Sequence, residues 1–220
     1  MFWIVNAASV AAAYLLGALP FGYWAGRILK GIDLREQGSG STGATNVLRT
    51  LGAGPGAVVL LLDVAKGAAA VLLARWLWTW AAVDFPAGLT VSTWIPWSAA
   101  LAGAVVLIGH SRSVFLGFKG GKSVAAGLGM LLAMSWPVAV AGLVVFAAVV
   151  AIWRMVSLGS ILASLTAIVA VCLLDHPLPY RLMIGAGGLF VIWLHRANIR
   201  RLMSGAEPRV GQKSADSTTA

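Results

Sequence analysis

The sequence predicts an all-α integral membrane protein, a bundle of seven transmembrane helices with its amino terminus outside and its carboxyl terminus in the cytoplasm. Three observations support this prediction. Of the 220 residues, 60% are hydrophobic and only 10% are charged, whereas about 25% of the residues of a soluble domain are charged. The apolar residues fall into seven long segments. The basic residues collect on one side of the alternating connections between them, as in multi-pass membrane proteins.

The candidate spans are the seven apolar segments at 2–28, 54–80, 93–109, 123–136, 138–153, 157–174 and 181–196. Crossing a hydrocarbon core of about 30 Å takes about 20 helical residues. The fourth and fifth segments are short by this measure, and Pro137 divides them. They form either two short spans or a re-entrant hairpin buried in the protein, and the sequence leaves both open.

The basic residues decide the orientation of the bundle. With the amino terminus outside, the outer ends carry only two of them, Arg75 and Arg181. The cytoplasmic stretches then carry thirteen: Arg27, Lys30, Arg35, Arg49, Arg112, Lys119, Lys122, Arg154, Arg196, Arg200, Arg201, Arg209 and Lys213. Five tryptophans mark the expected outer interface: Trp76, Trp78, Trp80, Trp94 and Trp97. The polar loops and the basic tail are therefore predicted to face the cytoplasm.

We expect one membrane-embedded domain over 1–205 and a polar tail over 206–220 that is disordered at its end. The net charge of +9 follows the membrane topology and does not indicate nucleic-acid binding. Cys172 is the single cysteine of the sequence, which excludes an intrachain disulfide. Asp63 and Lys66 are three residues apart in the second segment. They predict either a neutralising structural pair or a supporting role in a site.

The polar stretch 33–52 is the first candidate for a binding site. Gly38 and Gly40 allow tight turns and bring backbone N–H groups close to a ligand. Ser39 adds a hydroxyl donor, Asn46 an amide, and Arg49 a planar fork suited to phosphate. A flexible glycine-serine linker is the alternative. The stretch also matches the G-x-G-x-x-G pattern, but no strand precedes it, so a dinucleotide-binding fold is not indicated.

The polar stretch 109–123 is the second candidate, and a helix is predicted to follow it directly. Gly120 and Gly121 would present N–H groups at the start of that helix, which favours anions. Lys119 and Lys122 add positive charge, and His110 opens the stretch. The stretch is one residue short of a Walker A loop. An ordinary basic cytoplasmic loop is the alternative to an anion site.

A third polar element follows the last apolar segment. His195 and Asn198 are three residues apart, so a helix that continues through them places both on one face. Glu207 lies downstream, and Ser157 lies at the cytoplasmic end of the sixth segment. The arginines of this element could instead be interfacial anchors. Together the three elements lie on one membrane face and suit a substrate with several negative charges.

Three runs of sequence form a family pattern when taken in order. They are Gly-Ser-Gly-Ser-Thr-Gly-Ala-Thr-Asn-Val-Leu-Arg at 38–49, Gly-His with Phe-Lys-Gly-Gly-Lys within 109–122, and His-Arg-Ala-Asn-Ile-Arg-Arg-Leu with Gly-x-Glu at 195–207. This pattern resembles the bacterial acyl-phosphate-dependent glycerol-3-phosphate acyltransferases over nearly the whole chain. The stretches that begin at Asp63 and Ser157 are also similar to that family. The sequence departs from it at Ser41-Thr42, where Asn-Pro is common, and at 111–113, where a more apolar run is common.

The resemblance implies transfer of a fatty acyl group from acyl phosphate to the 1-hydroxyl of sn-glycerol 3-phosphate, which gives lysophosphatidic acid and phosphate. It places this step of phospholipid biosynthesis in the bacterial cytoplasmic (inner) membrane, with the active site of a multi-pass protein facing the cytoplasm. The expected partners are the two substrates and membrane lipids, with no nucleic acid. No cofactor and no metal are expected, and we expect a monomer.

The resemblance also assigns roles to the matching positions. The catalytic candidates are His195, Asn198, Ser39 and Arg49. The substrate-binding candidates are Gly38, Gly40, Asn46, His110, Lys119, Gly120, Gly121, Lys122, Ser157 and Glu207. The general base is either His195 or the donor phosphate, whose second pKa of about 6 leaves the dianion dominant at neutral pH.

Two other classes of protein, a transporter and a structural membrane subunit, could account for some of these features. A transporter or channel for a phosphorylated anion explains the basic loops, but it predicts polar interruptions on both membrane faces or an inverted repeat. The polar elements of this chain fall on one predicted face. A structural membrane subunit leaves the chemistry of the loops unexplained. The sequence therefore favours an enzyme.

Overall fold

The computed structural model describes residues 1–81 and 91–212, and ten α-helices lie in those ranges. They are α1 (Phe2–Ala18), α2 (Phe21–Lys30), α3 (Ala44–Leu51), α4 (Ala53–Ala81), α5 (Val91–Ser111), α6 (Val124–Met134), α7 (Trp136–Trp153), α8 (Val156–Leu173), α9 (Leu178–Leu194) and α10 (Arg196–Met203). Short 3₁₀ turns at Leu34–Glu36 and Val114–Leu116 lie in the two polar loops. The end of the expected tail, 213–220, lies outside the described residues.

Five helical stretches are long and apolar enough to cross a membrane: Phe2–Lys30, α4, α5, α7 and α8. A sixth results if α9 and α10, which are bent by 58°, are taken as one span. The remaining apolar helix, α6, has 11 residues, which at about 1.5 Å per residue cover only half of a core of about 30 Å. The structure thus has five or six candidate spans, and the predicted count of seven is not confirmed.

α6 is short because the chain before it folds back against α5. The hydroxyl of Ser123 donates to the carbonyl of Leu107 at 2.8 Å, one turn before the end of α5. The backbone N–H of Gly121 donates to the carbonyl of His110 at 3.1 Å. The second polar loop therefore packs on the last turn of α5, and regular helix begins only at Val124.

Small residues bring α6 into close contact with α4. A Cβ atom at Gly67 would overlap the backbone of Ala126, and one at Gly129 would overlap the backbone of Val64. Helices in a membrane associate by such close packing of small residues, because moving an apolar side chain from lipid into a helix interface gains little free energy. The position of α6, and of the polar loop that precedes it, is therefore fixed by α4 on one side and α5 on the other.

The largest apolar cluster joins α1, α4, α5, α6 and α9 below the polar loops. At the other end of α4, Trp76 and Trp80 are exposed, as are Trp94 and Trp97 of α5, which is how an interfacial belt presents its indoles. Trp78 is instead fully buried, because two residues along a helix correspond to a rotation of about 200°. One of the five predicted belt positions thus belongs to the interior.

Candidate active site

The first polar loop is held in shape by the side chain of Asn46, which is 1% exposed. Its Nδ2 lies at hydrogen-bond distance from the carbonyls of Leu34, Gln37 and Ser41, at 3.2, 2.9 and 2.9 Å. Its Oδ1 accepts from the backbone N–H of Ser39 at 3.0 Å. A single buried amide therefore closes the loop over the first turn of α3.

Glycine is required at one position of this loop. Gly38 has a φ of +57°, and a Cβ atom there would also overlap Oδ1 of Asn46. Any other residue would be strained by its backbone and pushed away from the amide that holds the loop. The next two residues, Ser39 and Gly40, are exposed at the surface of the loop. The spacing of glycines in this stretch thus follows from the geometry of the turn around Asn46.

A cavity of about 500 Å³ separates the first loop from the second. It is lined by Asp33, Arg35, Glu36, Gly40, Thr42, Lys119 and Gly120. The Asp33 carboxylate is already engaged: hydrogen bonds from the side chain and backbone of Arg35 lower the pKa of Asp33 to about 2. Lys119 has no such partner among the residues described, and it gives the opposite wall of the cavity a positive charge.

The glycine pair of the second loop lies directly on His110, a residue of the last turn of α5. The N–H of Gly121 donates to the His110 carbonyl, and a Cβ atom at Gly121 would overlap the imidazole Nε2. A Cβ atom at Gly120 would overlap the same carbonyl. His110 is 7% exposed. It therefore lies beneath the loop as a support rather than at the surface of the cavity.

Lys122 connects the second loop to the third polar element. Its Nζ donates to Oδ1 of Asn198 at 2.6 Å, and Nδ2 of Asn198 donates to Oε1 of Glu207 at 2.7 Å. The other oxygen of Glu207, Oε2, accepts from Nε of Arg201 at 2.8 Å. We call Lys122, Asn198, Arg201 and Glu207 the buried network, since Asn198 and Glu207 are 6% exposed.

The charges of the buried network influence one another. Burial would raise the pKa of Glu207, but the nearby Ser157 hydroxyl and the hydrogen bonds from Asn198 and Arg201 lower it below its ordinary value. Burial lowers the pKa of Lys122, and the positive charge of Arg201 acts in the same direction. Arg49, near the end of α3, also lowers the pKa of Lys122. Since Arg49 is exposed and acts on the charge of Lys122, it extends the positive surface from the first motif toward the third.

His195 lies at the bend between α9 and α10 and is 3% exposed. Its Nδ1 is 2.8 Å from the carbonyl oxygen of Val191. Because a carbonyl can only accept, this contact assigns the proton to Nδ1, and Nε2 of a neutral imidazole then carries a lone pair. His195 interacts electrostatically with Lys122 and Glu207, so it lies beside the buried network.

The structure thus brings together residues from all three predicted motifs. Gly40, Lys119 and Gly120 line one cavity. Lys122, Asn198 and Glu207 form one hydrogen-bonded chain, with Ser157 and His195 beside it. The continuous run 119–122 belongs to both groups. Gly38 and Asn46 shape the first loop, and Gly121 and His110 shape the second.

Sequence reasoning did not assign a site role to Arg201. It was grouped with the arginines that could be interfacial anchors. Arg196 has the environment of such an anchor, because its guanidinium carbon lies 4.4 Å from the centroid of the Trp193 ring. Arg201 instead binds Glu207. The signal was the pair of opposite charges six residues apart, with Gly205 between them at a φ of +71° to turn the chain back.

Glu207 itself lies beyond the domain boundary expected at 205. The chain stays packed as far as Val210, whose N–H donates to the Arg154 carbonyl at 2.7 Å.

Comparison with known proteins identifies the family of this chain. A family model described as glycerol-3-phosphate acyltransferase matches residues 7–205. The chain belongs to this family. It is therefore an acyltransferase, and its fold is the all-helical integral membrane fold of that family.

Individual relatives match almost end to end. Glycerol-3-phosphate acyltransferase 2 of Rhizobium johnstonii is 57% identical, with 96% of this chain and 99% of the relative covered. The glycerol-3-phosphate acyltransferase of a Nostoc species is 54% identical, with 99% and 97% covered. Among solved structures, the chain is similar to PlsY, an integral membrane glycerol 3-phosphate acyltransferase, in its glycerol 3-phosphate form. The TM-score is 0.80 and the sequence identity 38%, with 94% of this chain and 96% of the other covered. Its lysophosphatidic acid form is similar with a TM-score of 0.77 and 36% identity, over 94% and 95% of the chains.

Proposed function

We propose that this acyltransferase moves a fatty acyl group from acyl phosphate to the 1-hydroxyl of sn-glycerol 3-phosphate and releases lysophosphatidic acid and inorganic phosphate. One observation carries the proposal: the run from Lys119 to Lys122 borders the cavity at the first loop and also joins the buried network at Asn198. Two anion-binding regions therefore adjoin, as a reaction between two phosphate-bearing molecules requires. The reaction is a step of phospholipid biosynthesis.

The chemistry needs little from the protein beyond position and charge. Acyl phosphate is a mixed anhydride, so the substrate hydroxyl can attack its carbonyl carbon without a covalent enzyme intermediate. The new ester bond forms, the bond between the acyl carbon and the phosphate oxygen breaks, and phosphate leaves. Holding both molecules near 3 Å apart and stabilising the negative charge that develops supply most of the acceleration.

We assign the roles as follows. At the first cavity, which Gly40 lines, phosphate oxygens are held by the Ser39 hydroxyl, the Gly120 N–H and the positive charges of Lys119 and Arg49. Lys122 bridges this region to Asn198 and His195, which orient the glycerol moiety. Glu207 holds Asn198 in place by accepting a hydrogen bond from its Nδ2, and Ser157 lies beside Glu207. The hydroxyl proton goes either to Nε2 of His195, whose other nitrogen is held by Val191, or to an oxygen of the donor phosphate.

We further propose that the site faces the cytoplasm of a bacterium, with the amino terminus outside. Seven crossings, with the short helix α6 as the fourth, give this topology. All residues of the proposed site come from one chain, so a monomer would suffice. Labelling single cysteines in sealed vesicles, with Cys172 replaced by serine, tests the orientation. Arg112→Cys should react only from the cytoplasmic side and Arg181→Cys only from outside, since both side chains are exposed. The reverse pattern would contradict it.

The activity itself is tested with the purified protein in lipid nanodiscs. With acyl phosphate and glycerol 3-phosphate we expect lysophosphatidic acid and phosphate in equal amounts. Acyl-CoA should not replace acyl phosphate, and a chelator should leave the rate unchanged. Activity with acyl-CoA alone, or loss with chelator and recovery with magnesium, would contradict the proposed donor and mechanism. Uptake of glycerol 3-phosphate into vesicles without acyl transfer would favour a transporter.

A further inference from the structure

A buried ion pair lies on α4 below the two polar loops, and no step of the proposed function uses it. Nζ of Lys66 is 2.7 Å from Oδ1 of Asp63, and the two side chains are 4% and 3% exposed. Charges inside a membrane bundle are costly and are retained mainly where they serve a site or pathway. A pair that only neutralises itself could be replaced by two apolar residues at little cost. What these two side chains touch therefore decides what they do.

Lys66 is held by residues at the break between α1 and α2, next to the first polar loop. Its Nζ also donates to the carbonyl of Leu19 at 2.8 Å, where the break between α1 and α2 leaves that carbonyl free of a helical partner. The ammonium lies 5.4 Å from the centroid of the Phe21 ring, within the range of a cation–π contact. Lys66 is thus held from three directions, and it fixes the carboxylate of Asp63.

Asp63 faces the second loop through His110. Nδ1 of His110 is 3.6 Å from Oδ1 of Asp63, which is longer than a hydrogen bond but close enough for the carboxylate to orient the polar edge of the imidazole. Nδ1 has no hydrogen-bond partner within residues 1–81 and 91–212. The opposite edge of the imidazole lies against Gly121, and the His110 carbonyl accepts the N–H of Gly121. The orientation of this ring therefore determines where the glycine pair can sit.

A small cavity of about 10 Å³ lies at the junction. The residues around it come from both sides of the site. Leu19, Gly22 and Thr42 belong to the side of the first loop, and His110 and Ser113 belong to the side of the second, with Asp63 and Lys66 between them. In addition, the Ser113 hydroxyl donates to the carbonyl of Ala18 at 2.6 Å. The ion pair thus lies where residues that support both loops meet.

We propose that Asp63 is a positioning residue for the reaction. Held by Lys66, it orients the His110 ring and so places the glycine pair, in which Gly120 presents its backbone N–H to a phosphate while the N–H of Gly121 is bonded to the His110 carbonyl. The inference deepens the proposed function, because it names what aligns one of the anion-binding loops. Asp63 touches no substrate and acts only through His110. A shift of the loop by about 1 Å is enough to cost roughly 100-fold in rate.

The test uses three variants and two readouts. Asp63→Asn removes the charge but leaves Lys66 buried without a counter-ion, and it could fail to fold. Asp63→Asn with Lys66→Met removes both charges and keeps the side-chain volumes, so it is the decisive variant. His110→Ala removes the ring. Each is compared with Ser9→Ala, which loses a buried hydroxyl bond of 2.8 Å to the Val5 carbonyl far from the loops. The readouts are kcat/KM for acyl transfer and the Kd of inorganic phosphate by calorimetry.

We expect the Asn/Met variant to weaken phosphate binding and to lower kcat/KM, each by roughly 10- to 100-fold. His110→Ala should lose a similar amount, and the triple variant should be no more than about threefold worse than His110→Ala, because the residues act in series. Ser9→Ala should stay near wild type. Effects that multiply in the triple variant, or an Asn/Met variant within twofold of wild type in both readouts, would overturn the inference. If wild-type protein makes no lysophosphatidic acid, the proposed function fails, while the Kd of phosphate still decides the role of Asp63.

Discussion

The first polar loop and the buried network both belong to the proposed site, but they are built in opposite ways. The loop around Ser39 and Gly40 is exposed, and its shape depends on backbone groups gathered by one buried amide, Asn46. The network of Lys122, Asn198, Arg201 and Glu207 is made of side chains, three of them charged, and is buried at its centre, at Asn198 and Glu207. One region depends on geometry and the other on electrostatics.

This difference suits two different tasks. An exposed loop whose shape is fixed by Asn46 can present polar groups to a phosphate that arrives from the surrounding water. A buried set of charges loses little to solvent reorganisation, so it can hold a hydroxyl and a leaving proton in fixed positions. The two regions should therefore respond differently to substitution. Changes of shape should damage the first, and changes of charge should damage the second.

The largest effect is expected at Asn46. Asn46→Ala removes the contacts to Ser39 and to three carbonyls, each worth about 1 kcal/mol. We expect kcat/KM to fall by roughly 10³-fold, equivalent to about 4 kcal/mol. Steady-state kinetics on membrane-inserted protein measures this. Thr50→Val is the matched control, because it removes one hydroxyl bond of 2.9 Å to the Asn46 carbonyl and leaves the loop contacts intact. Equal losses in the two variants would show that α3, rather than the loop, is what Asn46 supports.

An intermediate effect is expected at Arg49. Arg49→Lys keeps the charge but loses the planar fork that can bind phosphate through two parallel hydrogen bonds. We expect kcat/KM to fall by roughly 10- to 100-fold, or about 1.4–2.7 kcal/mol, and Arg49→Ala to be worse. Near-wild-type kinetics of Arg49→Lys would leave only a role for its charge. Near-wild-type kinetics of Arg49→Ala would remove Arg49 from the site.

The smallest effect is expected at Glu207 and should depend on pH. Glu207→Gln keeps an acceptor for Asn198 but loses the charge-assisted bond to Arg201, so kcat/KM should fall about 10-fold. The pKa of Glu207 lies below its ordinary value of 4.5. Its ionised form therefore stabilises the fold at higher pH, and this contribution is lost as the pH falls below 4.5 through the folded-state pKa.

Thermal unfolding of wild type and Glu207→Gln between pH 7 and about pH 3 measures that contribution. The wild type should be more stable at pH 7, and the difference should shrink as the pH falls. Asp175→Asn is the control, because Asp175 is fully exposed beside Arg181 and should show no comparable change. A difference between wild type and Glu207→Gln that stays constant with pH would mean that the Glu207 charge is not what stabilises the network.

The two regions also differ in how far the sequence could predict them. Glycines, serines and Arg49 in one short stretch indicate a phosphate loop, because the relevant atoms are local in sequence. The spacing of these residues did not show that the side chain of Asn46 binds carbonyls up to twelve residues away. In the buried network, Asn198 and Glu207 were singled out by their motif. The contact of Asn198 with Lys122 joins residues 76 positions apart in sequence, and hydropathy and spacing do not predict such a contact.

The prediction for the membrane helices was limited in a related way. Hydropathy recognised 123–136 as one apolar segment, and Pro137 correctly marked the start of the next helix. It could not show that the loop before Val124 folds back on α5 through Ser123 and Leu107, which leaves α6 with 11 residues. Apolar composition reports how a segment partitions into lipid, whereas the start of a helix depends on backbone contacts made by its neighbours.

The most direct test of a single shared site is hydrogen exchange of the wild-type protein with and without saturating glycerol 3-phosphate. Bound ligand should slow exchange of backbone amides in contact with it or ordered by it. We expect protection in peptides that cover 38–46, 119–122 and 195–207 together, and no change in the connection between α8 and α9. Protection confined to one of the three peptides would contradict one shared site and would separate the first loop from the buried network.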